Sequence, residues 1–141
     1  MQIEREFDLD FVRVSPEKFI NQREKLVKHL QPFITLFNTK EYCQMNTRLY
    51  LDFDEKSGFG INPDGTLISV FSLVRGRGSL MVRNAVWLGA TKVECLGEKL
   101  FALYVTAGYR YKEVYPWDDN LAPNDWDYTR FGKMPFFVLE R

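Results

Sequence analysis

The chain is 141 residues long, 45% hydrophobic and 16% aromatic. That core supply excludes a disordered segment and suits one domain spanning 1–141. Lys plus Arg and Asp plus Glu both number 19, so no global field draws the chain to nucleic acid or to an anionic membrane. No stretch nears the ~18 apolar residues of a membrane span, and the charged start carries no apolar signal region, so a cytoplasmic location is expected.

Residues 3–14 alternate loosely, with Ile3, Phe7, Leu9 and Phe11 set against Glu4, Glu6, Asp8 and Asp10; this predicts a first strand. Ser15-Pro16-Glu17 opens a helix with a capping hydroxyl, a proline at the first position and an acid in the first turn. Phe19, Ile20, Leu26, Val27, Leu30 and Ile34 recur at helical spacing and carry that helix to an end or kink near Gln31-Pro32. A second short helix is predicted over 33–37 and a polar connection over 38–46. Strands follow at 48–53 and 59–62. Asn62-Pro63-Asp64-Gly65 is a strong turn, and it leads into 66–74, an apolar, β-branched stretch predicted as a buried central strand.

Those three strands read as an antiparallel meander. The pattern then changes to a helix over 79–88 stopped by Gly89, a strand over 92–96, a helix over 100–107 stopped by Gly108, and strands over 111–115 and 136–139. A meander feeding a strand–helix–strand crossover predicts an α+β domain with a mixed sheet. The segment 116–135, with Trp117, Trp126 and Tyr128, is too aromatic for an idle linker and is predicted to be an ordered loop or lid. Its four Asp residues, with the aromatics, suit either the wall of a pocket for a cationic group or turn capping beneath tryptophans that cover a sheet edge.

Chemistry is concentrated between the central strand and the helix of Tyr104. Arg75-Gly76-Arg77-Gly78-Ser79 joins a strand to a helix. Glycines let a backbone approach phosphate oxygens, the helix start supplies unpaired N–H groups, and arginines screen charge. A plain strand-to-helix turn with solubilising arginines is the competing reading. Cys43 and Cys95 lack metal-ligand spacing and the chain has one histidine, His29, so no metal site is expected. Cys95 reads as a buried small hydrophobe.

In this order, the loop, the strand Lys92-Val93-Glu94-Cys95 and the element Leu103-Tyr104-Val105-Thr106-Ala107-Gly108-Tyr109 resemble the acyl-CoA site of the GCN5-related N-acetyltransferases (GNAT). Arg75 and Gly78 match two fixed positions of that family's pyrophosphate loop, while Leu80 stands where a small residue belongs. The resemblance implies a mixed, mostly antiparallel central sheet flanked by helices. It also implies acetyl-CoA or another acyl-CoA as cosubstrate, held by Arg75, Gly76, Arg77, Gly78 and Ser79, with the backbone of Ser72, Leu73 and Val74 beside the pantetheine arm where the central strand splays from the next. Tyr104 matches the tyrosine that protonates the departing thiolate. Glu94 is the candidate base for an amine acceptor: a protein lysine, an N-terminus or a small molecule. A narrower resemblance links residues 58–139 to small GNAT-like proteins of phages. The alternative is a GNAT-fold module without catalysis that binds a protein such as a host factor, and an edge strand with exposed aromatics would permit a dimer.

Overall fold

A computed structural model describes residues 10–141. Of the first predicted strand, Phe11–Val14 is seen as β1; its earlier part lies outside the described residues. Ser15 caps α1 (Pro16–Arg23), its hydroxyl accepting from the Lys18 amide at 3.2 Å. That helix is shorter than the periodicity implies. It gives way to a 3₁₀ turn over Lys28–Phe33, with Pro32 inside it, and Ile34 is extended rather than helical. Leu26 and Ile34 reach the sheet from this irregular path, whereas Val27 is 51% exposed; the apolar spacing was a coincidence of two separate turns.

The predicted connection over 38–46 contains a helix, α2 (Thr39–Met45). Asn38 and Glu41 form a reciprocal capping box, the Glu41 amide donating to Asn38 at 2.8 Å and the Asn38 amide to Glu41 at 3.0 Å. The meander follows as predicted: β2 (Arg48–Asp52), β3 (Ser57–Ile61) and β4 (Thr66–Ser72), antiparallel in succession. Gly65, at φ +91°, closes the turn before β4 with its amide on the Asn62 carbonyl. Then come α3 (Gly78–Trp87), β5 (Lys92–Leu96), α4 (Glu98–Thr106), β6 (Arg110–Tyr115), a short helix α5 (Tyr128–Phe131) and β7 (Phe136–Glu140).

The seven strands form one sheet in the order β1-β2-β3-β4-β5-β7-β6, antiparallel except for β4 with β5. Helices α3 and α4 cover one face through Val82, Ala85 and Tyr104 against Tyr50, Phe59, Leu67, Val93 and Leu139. The segment from α1 to α2 covers the other through Phe19, Leu26, Ile34 and Tyr42 against Leu49, Leu51 and Phe71. No helix among the described residues is long and apolar enough to cross a membrane.

Candidate active site

β4 and β5 pair only at Thr66–Lys92 and Leu67–Val93. Beyond that point β4 follows β3 and β5 follows β7, so the two parallel strands separate. A bulge sits at the parting: Gly58 pairs with Phe71 and Gly60 with Ile68, leaving Ser69 and Val70 opposite Phe59 alone. Ser69 has φ +56°. Bulges bend the strand that carries them, and here Ile68 and Ser69 both face the α1–α2 side. The Ser69 hydroxyl donates to the Thr35 carbonyl at 2.6 Å and lies 2.7 Å from the Tyr42 hydroxyl, which in turn accepts from buried Arg23 at 2.9 Å.

The gap opens into a cavity of roughly 1000 Å³ that spans both faces of the sheet. On the α3–α4 face its walls include Arg75, Gly78, Met81, Leu103 and Tyr104; on the other they include Leu26, His29, Phe33, Ser69 and Phe131. Since the Leu73 amide is turned to β3, donating to the Lys56 carbonyl at 2.7 Å, strand alternation turns the Ser72 amide toward the gap.

The glycine loop meets this cavity at the start of α3. The amides of Gly78, Ser79 and Leu80 donate to no protein group among the described residues, and Arg77 in the capping position supplies no side-chain cap. Three N–H groups and the positive helix end are thus left for an anion. Gly76 is left-handed at φ +86°, with open space where a Cβ would project. Gly78 has another duty: a Cβ there would lie 3.1 Å from Leu103, so its absence lets α3 pack on α4. Leu80 does not line the cavity, so the departure from the family pattern does not fill the opening.

Two expectations for this stretch need correcting. The Arg77 guanidinium does not face the cavity. It bonds Asp52, and it bonds Asp54 at 2.6 and 2.9 Å, tying the loop to the β2–β3 hairpin. Asp52 is wholly buried, also accepts from Ser57, and its carboxyl is raised by desolvation and by neighbouring Asp54. Asp54 is held well below the usual carboxylate range by Arg77. Two carboxylates claim this cation, which leaves Arg75 as the cavity-lining arginine of the loop. The second correction concerns Leu73 and Val74. The Leu73 amide is spent on Lys56 and the Val74 amide on the Ser72 hydroxyl at 3.1 Å, so of the predicted trio only Ser72 lines the cavity.

Tyr104 is 4% exposed, lines the cavity and packs edge-on to Tyr109 at 5.7 Å. Burial, with Cys95 and Tyr109 adding to it, raises its ionisation well above that of an ordinary phenol. Cys95, also on the wall, is pushed up to about 12 by burial, so it stays a thiol and not a nucleophile. Glu94 is exposed and lines the cavity from the face of β5 opposite Cys95. Tyr104 and Glu94 therefore flank the strand gap from opposite sides.

The far face is roofed by two segments. Phe33 meets Trp126 at 5.2 Å and Phe131 at 4.8 Å, His29 lies 6.3 Å from Phe131, and Trp117 stacks near Trp126 at 4.9 Å. The stretch after β6 is thus an ordered cover. Its aspartates serve local structure: Asp118 and Asp127 accept amides at turn starts, and Asp119 accepts from Trp117, Tyr128 and Lys133. The tryptophans pack inward and leave the β6 edge exposed.

No protein-family model and no curated protein sequence matches the chain. Solved structures do. AAC(6')-Ib in complex with paromomycin and acetyl-CoA superimposes with TM-score 0.57 at 15% identity, covering 95% of this chain and 94% of that one. A Bacillus subtilis acetyltransferase in complex with CoA gives 0.53 at 17%, covering 95% and 98%. A GCN5-related N-acetyltransferase from Kribbella flavida gives 0.56 at 13%, covering 94% and 96%. The protein has the GNAT fold.

Proposed function

We propose that the protein is an acyl-CoA-dependent N-acyltransferase working through a ternary complex. The observation that carries this reading is the parting of β4 from β5 into a cavity whose wall runs from Arg75 and Gly78, at the helix start where three amides are unpartnered, to Tyr104. The pyrophosphate of acetyl-CoA sits on the amides of Gly78, Ser79 and Leu80, with Gly76 giving it room and Arg75 screening its charge. The pantetheine arm runs along the open edge of β4 at Val70–Ser72, adding to the sheet as a strand would.

An amine entering from the far face attacks the thioester carbonyl carbon. The C–N bond forms, the C–S bond breaks, and the electron pair leaves with sulfur. Glu94, directly or through a water, takes the proton from nitrogen. Tyr104, kept protonated by its burial, donates its O–H to the sulfur as negative charge builds there. The thiol keeps the proton given by Tyr104, and the nitrogen proton held by Glu94 returns through solvent to the Tyr104 phenolate, giving an amide, free CoA and the starting enzyme. The similar folds in complex with CoA and acetyl-CoA support an acyl-CoA as the cosubstrate.

Thermal unfolding with and without acetyl-CoA tests the binding half. At a hundredfold excess over its dissociation constant the ligand adds ~2.7 kcal/mol to the folded state. A flat response through millimolar acetyl-CoA contradicts the reading and leaves a GNAT-fold binding module. Thiol release on adding amines tests the chemistry.

A further inference from the structure

The part of the cavity on the α1–α2 face bears on which amine is taken. Its wall there is mainly Leu26, Leu30, Phe33, Phe131, Met134 and Pro135; His29 and Ser69 are polar members of it, and the Ser69 hydroxyl is already engaged by the Thr35 carbonyl and the Tyr42 hydroxyl. Arg130 and Lys133 also border it, but Arg130 lies 3.5 Å from Asp127 and Lys133 3.3 Å from Asp119. Their charge is answered within their own segment. None of Asp118, Asp119, Asp125 and Asp127 lines the cavity; the carboxylates on its wall, among the described residues, are Glu94 and Glu98. A polyhydroxylated amine with several positive charges needs a carboxylate near each ammonium and polar partners along its length. This wall supplies a mainly apolar surface, with His29 its one imidazole and acid at one end.

We propose that the acceptor is a small primary amine on an apolar body, aryl or branched alkyl, with its nitrogen toward Glu94 and its body against Phe33, Phe131 and Met134. The proposal rests on the acyl-CoA reading and narrows its acceptor. The transfer is the one written above: C–N forms, C–S breaks, Glu94 takes the proton from nitrogen, Tyr104 gives its own to the CoA sulfur, and solvent returns the proton from Glu94 to Tyr104.

The test begins with calorimetric titration of acetyl-CoA into the full chain. Thiol release is then measured with 2-phenylethylamine and isopentylamine against kanamycin and spermidine. The expected result is a kcat/KM for the apolar amines about a hundredfold above that for the polycations. Met134→Gln raises KM for 2-phenylethylamine about tenfold, with kcat and acetyl-CoA affinity within about twofold, while Met134→Leu keeps the wild-type KM. Kanamycin or spermidine used as well as the apolar amines overturns the inference, and so does tight acetyl-CoA binding without turnover of either apolar amine. Failure of acetyl-CoA to bind overturns the underlying function and this narrowing with it.

Discussion

Replacing Arg77 by Met separates two roles that its place in the glycine loop confounds. If the guanidinium clamps the loop to the β2–β3 hairpin, its loss leaves Asp52, with no exposed side-chain surface, facing Asp54 without a counter-ion. Removing one partner of a buried pair costs about 3–5 kcal/mol. The low end applies, because Arg77 is itself 17% exposed and Asp52 can take up a proton. At about 2.1 cal/mol/K of unfolding entropy per residue, a 141-residue chain loses about 10 °C in Tm for ~3 kcal/mol.

The deficit also depends on pH. Asp52 already titrates above its ordinary 3.8 in the folded state, from burial first, and loses a lowering influence with Arg77. Its folded form then holds a proton that the unfolded chain has released, so stability falls as pH rises above about 4. Asp54 is lowered chiefly by Arg77, so the variant also loses the stability that Asp54 contributes above its unfolded value. Both effects make the deficit smallest in acid and larger toward neutrality. Asp52→Asn in the same chain recovers part of the loss. The assay is thermal unfolding between pH 3 and 8, with acetyl-CoA affinity measured at neutral pH. A Tm within about 2 °C of wild type, combined with a tenfold loss of acetyl-CoA affinity, would refute the clamp and restore Arg77 as a phosphate ligand.

Tyr104→Phe removes one hydroxyl from a packed ring, so Tm holds within a few degrees while kcat for amine acetylation drops about 10²-fold with little change in KM; unchanged kcat would remove the phenol from the mechanism. Asn38→Ala breaks the capping box of α2 and costs about 1 kcal/mol, read as a lowered urea midpoint with no change in acetyl-CoA affinity. Gly58→Ala places a Cβ 2.4 Å from the Tyr50 carbonyl oxygen. Overpacking of this kind costs about 1–3 kcal/mol and lowers Tm by several degrees, whereas Gly76→Ala meets no atom and loses only its left-handed backbone freedom.

The elements with local signatures could be read from the chain alone. Asn62-Pro63-Asp64-Gly65, the apolar run after it and the glycine-stopped helices each carry their cause within a few residues, and they formed where expected. α2 was legible too: Asn38 and Glu41 stand at capping-box spacing, and the polar composition between them obscured it. The path from Lys25 to Phe37 was not legible, because Leu26 and Ile34 are placed by Phe19, Tyr42 and Phe71 rather than by their own periodicity. The same limit holds at the site. The order of loop, strand and tyrosine could be read in sequence, but the claim of Asp52 and Asp54 on Arg77 spans 25 and 23 positions, and the bond from Tyr42 to Ser69 spans 27. No local pattern announces such partners. The bulge at Ser69 is equally silent, since a serine among β-branched residues reads as ordinary strand.

Amide chemical shifts of the labelled protein, followed as CoA is titrated in, show directly whether the start of α3 and the open edge of β4 hold the cosubstrate. The expected result is saturable shifts concentrated at Gly76, Gly78, Ser79 and Leu80 and along Val70–Ser72, with Leu73, whose amide is held by Lys56, moving less. Saturable binding with its largest shifts elsewhere, or no shift at millimolar CoA, would contradict it.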